Sequence, residues 1–383
     1  MWAQNANQHS GDWESVGTEC IRCRAAQTAV LVNMQISEAI EKLNQGQSLE
    51  RQEAHALMVE LLSGHAPDEQ IVALLVALRD KGETTAEVVG FAEVMRAQAR
   101  EVLRDAGVRV EEFIDSKTLL DTCGTGGDRS GTANVSTATA LVAAAAGVPV
   151  AKHGNRSISS RCGSADVLEA LGVAIDLPLE NIPACLDHVG LVFLFAPQLH
   201  RAMKHVMNAR RSIASKTIFN LLGPLTNPLE ASHQLAGVYD QARTEMLAEA
   251  LGAVGTKRAF VVAGSDGLDE ITVTGSTKIS EFQSGRINTR HVNPEDFGLS
   301  RAEGGSLTGG DPEENARLLI QVLEGERNAL RDCILANASA ALVAAGRASG
   351  LQEGVMVAAE AVDSGEARRT LQKLIEFTDS RRR

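Results

Sequence analysis

The chain has 383 residues, 44% hydrophobic and 22% charged, enough for one large domain or two ordinary ones around a sizeable core. A net charge of −12 and 3% aromatic residues argue against a nucleic-acid partner, which needs a basic face or stacking rings. A membrane span is also excluded, because the longest apolar run, around Ala138–Val150, is broken by Gly147 and Pro149.

Residues 1–33 are polar and lack periodicity or a signal-peptide pattern. The structured chain is expected to begin near Met34, with the leader either a disordered tail or the product of an upstream start, the second favoured. Cys20 and Cys23 form a lone CxxC, a weak zinc signal. The other cysteines, at 123, 162, 185 and 333, read as buried thiols of a reducing cytoplasm.

From Met34 the pattern is helical. Ile36, Ala39, Ile40 and Leu43 share a face, stopped by Gly46. Ser48 is expected to cap a second helix carrying Ala54, Leu57, Met58, Leu61 and Leu62, ended by Gly64. A third starts near Pro67 and runs through Ile71, Leu74, Leu75 and Leu78 to Gly82. A fourth starts with the capping box Thr84/Glu87 and runs to about Val102. Four helices without an intervening strand predict a small helical domain.

After Phe113 the pattern changes. Thr118–Cys123 reads as a strand, followed by a glycine-rich turn, an alanine-rich helix and a second strand at Val148–Lys152. That order is a parallel βαβ unit, so the remainder is an α/β domain with a mostly parallel central sheet. Further strands are expected at Leu191–Phe195, Gln234–Tyr239 and Ala259–Ala263. Further helices are expected at Gln241–Val254, Pro312–Leu323 and Asn328–Ala345.

Four places carry chemistry. In Asp121-Thr-Cys-Gly124-Thr-Gly126-Gly127-Asp128, glycines at a strand end let backbone N–H groups converge as a phosphate requires, although neither Rossmann nor P-loop spacing fits. Asn134-Val135-Ser136-Thr137 opens the next helix, whose positive end favours an anion. Lys152-His153-Gly154-Asn155-Arg156-Ser157-Ile158-Ser159-Ser160, followed by Ser164, is too polar for a strand-to-helix joint unless it meets a polyanion. Asp269-Glu270 offers adjacent hard carboxylates at a strand end, plausible magnesium ligands. A glycine turn, a helix cap, a solvated loop or a surface acidic pair explains each one alone. Together they predict an enzyme site for a magnesium-bound polyphosphate, without naming the second substrate.

At these residues the chain resembles the anthranilate phosphoribosyltransferases from Met34 to about Glu376. The strings that carry the likeness are Gly124–Asp128, Asn134–Thr137, Lys152–Arg156, Ser164–Gly172, Phe219–Pro228 and Gly267–Glu270. The resemblance implies a helical domain, residues 34–112 with a returning segment at about 180–217, hinged to an α/β domain of 113–179 and 218–383. It implies that phosphoribosyl pyrophosphate is held by Gly124, Gly127, Asp128, Thr132, Asn134–Thr137, Lys152–Ser160 and Ser164. Two magnesium ions are implied at Ser136, Asp269 and Glu270. Anthranilate falls to Gly124, Asn155 and Arg210, with His153 and Pro224 lining its path, and catalytic roles fall to Lys152 and Arg210. A cytoplasmic homodimer joined through the helical part is also implied.

Asn208, where proline is commoner, and Arg161-Cys162 depart from the family pattern without removing any of these groups. Two rival readings are a pyrimidine nucleoside phosphorylase, which would not need Asp269 and Glu270, and a non-catalytic nucleic-acid-binding relative.

Overall fold

The computed structural model describes residues 34–114, 118–126, 131–157, 161–213 and 215–382. The leader with Cys20 and Cys23, and the site candidates Gly127, Asp128, Ile158, Ser159 and Ser160, lie outside them.

The first elements are helices α1 (Ile36–Asn44), α2 (Arg51–Ser63), α3 (Asp68–Lys81) and α4 (Thr85–Asp105). The Thr84/Glu87 capping box forms as expected. The buried Glu87 carboxylate also accepts from the Leu49 N–H at 2.9 Å and from Lys81 Nζ at 3.0 Å, which offsets its desolvation. Ser48 does not cap α2. That helix starts three residues later, where Glu50 and Glu53 form a reciprocal box, and Ser48 Oγ accepts from Lys81 Nζ instead.

Seven strands follow: β1 (Leu120–Gly124), β2 (Val150–Gly154), β3 (Leu191–Phe195), β4 (His233–Gly237), β5 (Arg258–Gly264), β6 (Thr277–Gln283) and β7 (Arg286–Val292). They form one sheet in the order β3-β2-β1-β4-β5-β6-β7, with β1 to β5 parallel and β6 and β7 antiparallel. The fold is a helical N-terminal part plus a larger α/β part on a mixed, mostly parallel sheet.

Strand periodicity divides the interior. On β5, Phe260 and Val262 enter a core shared with the helices Val135–Ala145 and Ala329–Ala344. Ala259, Val261 and Ala263 enter another, shared with α1 to α4 and the helix Thr244–Ala253. The segment expected to return to the helical part divides between them. Residues 191–194 lie in the first core and pair with β2, while Val206 and Ala209 lie in the second.

Candidate functional site

Successive strands step outward from β1 to β3, and the chain then returns to place β4 on the other side of β1. A crevice opens at such a switch point beyond the carboxyl ends of the strands, where open α/β sheets bind ligands. Four of the five parallel strands end there in glycine, at Gly124, Gly154, Gly237 and Gly264.

The missing side chains are required. A Cβ on Gly124 would collide with the Asp269 carboxylate, and one on Gly237 with the Asp269 backbone. The loop after β5 therefore drives Asp269 between the ends of β1 and β4, where its Oδ2 accepts from the Gly126 N–H at 2.8 Å. Gly126 has φ +65°, a left-handed turn natural to glycine. The adjacent Glu270 accepts from the Ser136 N–H at 3.0 Å and so occupies the positive end of the helix Val135–Ala145.

The helix start therefore differs from the expected open anion cradle. The N–H groups of Val135, Ser136 and Thr137 go to Ala133 O, Glu270 and Asn134 O. Asn134 does not cap with its side chain, which instead bonds the Cys162 carbonyl and Asn315. The Ser136 and Thr137 hydroxyls face different partners. Ser136 Oγ accepts from Lys152 Nζ at 3.3 Å, and the buried Thr137 Oγ1 has no partner among the described residues. Thr132, the first candidate of this stretch, pairs with Thr308 across an isolated bridge.

Lys152 is 2% exposed on β2, and its Nζ donates to the Thr122 carbonyl as well as to Ser136. Burial lowers its pKa, and the charges of Asp121, Glu270 and Asp269 oppose that shift. Asp121, 0% exposed on β1, is raised by burial and held down chiefly by Lys152. Its carboxylate accepts from the His153 N–H at 3.1 Å and from Asn227 Nδ2 at 2.8 Å. The charge of this buried acid favours the ammonium form of Lys152.

In the polar loop, Arg156 is committed elsewhere than expected. It pairs with Asp166 at 3.1 Å and with Glu169, which raises its pKa. That leaves Lys152 as the buried cation of this stretch. Asp166 also accepts from the N–H groups of Ser157 at 3.0 Å and Gly163 at 2.8 Å, clasping both ends of the loop. Gly154 lets Ser164 and Phe193 approach its backbone closely. Asn155 bonds the Arg156 N–H through its side chain.

A second group of candidates lies along Gly223–Leu225. His153 Nδ1 is 3.3 Å from the Gly223 carbonyl, and its ring stands edge-on to His200 with centroids 5.1 Å apart. Burial depresses both imidazoles, His153 to about 3 and His200 to about 4. Both are neutral at pH 7. Arg210, on the helix Met207–Ser212, lies over the Phe219 ring at 5.0 Å and has no acid partner among the described residues. Desolvation lowers it to about 10, so it stays charged and suits a carboxylate.

Asp269, Glu270 and Ser136 present only hard oxygen donors. No set of three or more metal-binding His, Cys, Asp or Glu groups occurs among the described residues. That donor set fits magnesium, which takes one or two carboxylates and completes its octahedron with phosphate oxygens and water. Sequence reasoning missed Asp121, Asn227, Gln234, Arg96 and His200. Asp121 and Asn227 stood inside strings already singled out, Asp121–Asp128 and Phe219–Pro228.

The sequence matches a glycosyl transferase family through its helical bundle domain over residues 37–99 and its a/b domain over residues 116–368. It is 50% identical over 343 residues to the anthranilate phosphoribosyltransferase of Pelotomaculum thermopropionicum, covering 90% of this chain and 96% of that one. The fold is similar to the anthranilate phosphoribosyltransferase of Thermus thermophilus, with a TM-score of 0.80 and 41% identity over 89% of this chain and 99% of the other. It is also similar to the Saccharomyces cerevisiae anthranilate phosphoribosyltransferase in complex with PRPP and Mg, with a TM-score of 0.77 and 28% identity, covering 90% and 98% of the two chains.

Proposed function

This chain belongs to the anthranilate phosphoribosyltransferases, and from that membership we propose that it transfers the phosphoribosyl group of phosphoribosyl pyrophosphate to the amine of anthranilate, in tryptophan biosynthesis. The observation that carries the reading is the convergence of Lys152, Ser136, Asp269 and Glu270 beyond β1 and β4.

In the reaction the amine nitrogen bonds to the anomeric carbon as the bond from that carbon to the pyrophosphate oxygen breaks. The bonding pair leaves on pyrophosphate, and the amine gives up one proton. Lys152, a fixed charge in a desolvated site, stabilises the departing pyrophosphate and needs no reorganisation to do so. The Thr122 carbonyl and Ser136 hold its ammonium in place, and the charge of Asp121 favours it. Asp269, Glu270 and Ser136 would hold two magnesium ions, which when bound neutralise charge on the leaving group. The Gly124 and Gly126 backbone, residues 154–157 and Ser164 would surround the phosphates.

Arg210 takes the anthranilate carboxylate and so orients the amine, a positioning effect. Asn155, His153 and Pro224 line the approach. An aromatic amine is already a nucleophile and needs no dedicated base. A homodimer joined through the helical part, working in the cytoplasm, belongs to the same reading. Light scattering reads it: twice the chain mass supports the dimer and a single mass rejects it. No helix among the described residues is long and apolar enough to cross a membrane.

The test is release of pyrophosphate from phosphoribosyl pyrophosphate and magnesium, with and without anthranilate, by the chain and by Asp269→Ala/Glu270→Ala. Release that needs anthranilate and disappears in a folded double variant supports the assignment. Unchanged turnover in that variant rejects it.

A further inference from the structure

The three-residue turn Gly223–Leu225 has all three carbonyls engaged, each by a side chain from a different element. His153 on β2 faces the Gly223 carbonyl at 3.3 Å. Gln234 on β4 donates Nε2 to the Pro224 carbonyl at 2.7 Å. Arg96 on α4 donates Nε to the Leu225 carbonyl at 2.6 Å and Nη1 to the Val254 carbonyl at 2.7 Å. Thr226 Oγ1 adds a bond to the Leu222 carbonyl at 3.0 Å. Next along the chain, Asn227 Nδ2 ties the turn's exit to Asp121 and to the Ala151 carbonyl, both at 2.8 Å.

Buried carbonyls require partners, but most turns find them in backbone or solvent. Here two interior polar side chains are spent on the task. Gln234 is 0% and Arg96 7% exposed, and neither carries an ion pair among the described residues. Pro224 sits on this turn, and Phe219, under Arg210, lies on the helix Ile218–Leu222 that runs into it. A fraction of an ångström in the turn therefore moves the wall of the acceptor pocket.

We propose that Gln234 and Arg96 are positioning residues that set the shape of the acceptor pocket and thereby which aromatic amine carboxylate is accepted. This rests on the reading of anthranilate as acceptor beside Pro224 and Arg210. Neither residue touches the substrate; each acts through the turn. Arg96 also ties the helical part to the acceptor wall, so the two parts of the molecule share one point of reference at the pocket.

The experiment is steady-state kinetics on Gln234→Met, Arg96→Met and Arg96→Lys, with anthranilate and a ring-methylated anthranilate as acceptors. Gln234→Met and Arg96→Met should raise KM for anthranilate about 10-fold while KM for phosphoribosyl pyrophosphate stays within about 2-fold. Discrimination against the methylated ring should fall in both. Arg96→Lys, which keeps a donor, should recover most of the loss. Equal rises in both KM values, or lowered thermal stability with unaltered kinetics and selectivity, would overturn the proposal. Should one methionine variant not fold, the other decides: a split between the two KM values supports the proposal and no split overturns it. If the unaltered chain does not turn over anthranilate, the functional reading itself fails, and that result is separable from a variant without a split.

Discussion

Arg210 is the side chain whose environment most plainly asks for a ligand. A charged group that is largely desolvated, stacked on Phe219 and without an acid partner among the described residues gains strongly from a carboxylate. Arg210→Ala is expected to raise KM for anthranilate about 100-fold, or ~3 kcal/mol, with little change for phosphoribosyl pyrophosphate. Steady-state kinetics check it, and equal effects on both substrates would refute the role. The His153–His200 pair makes a prediction about pH. Both folded pKa values, about 3 and about 4, lie below the ordinary 6.5, so between pH 6.5 and 4 the unfolded chain binds protons that the folded chain refuses. Stability is then fully present above about 6.5 and falls with pH, by on the order of 1.4 kcal/mol per unit for each histidine. Melting temperature measured from pH 7 to 4 should fall less steeply in His200→Gln than in the unaltered chain, and parallel curves would contradict the burial argument. Lys152, Asp269 and Glu270 were legible in the sequence because charged residues beside glycines at strand ends have few structural reasons to be there. Gln234 and Arg96 were not. A polar residue in a strand or helix gives no sign of which distant carbonyl it meets, and the string Phe219–Pro228 does not show that its turn is held from other elements.

At the scale of elements, the strand-end glycines do structural work that the glycine-rich string did not announce. The expectation was a backbone cradle aided by an open helix end. In the structure, Glu270 already caps that helix, and the glycines make room for Asp269. Gly237→Ala tests this. It should cost ~1–3 kcal/mol through overpacking against the Asp269 backbone, and lower activity about 100-fold by displacing the carboxylate. Denaturant unfolding and pyrophosphate release read the two effects, and a stable, fully active variant would rule the packing argument out. The parallel strands were legible from their apolar runs, with ends shifted by up to two residues. Pro312–Leu323 was found at its observed bounds. The β6–β7 hairpin was missed because β7 is almost wholly exposed and carries no apolar alternation. Its signal was the Ser284-Gly285 pair, with φ of 50° and 78°, a two-residue turn with both central residues left-handed.

At the scale of the whole molecule, one sheet separates two cores, and the helical part shares the second with β4, β5 and the acceptor turn. The phosphate loops and the acceptor wall are thus anchored to one sheet and share β2, which carries both Lys152 and His153, and they meet beyond β1 and β4. Periodicity led to an α/β fold, and four polar strings read together led to an enzyme for a phosphate ligand. The acceptor came from resemblance to a family, since nothing in residue spacing distinguishes one aromatic amine from another ring of similar size. The most direct measurement is the decay of anthranilate fluorescence on mixing the purified chain with anthranilate, phosphoribosyl pyrophosphate and magnesium. A decay that requires chain, phosphoribosyl pyrophosphate and magnesium together is the predicted result. Fluorescence that persists with folded protein and fresh substrate would contradict the account.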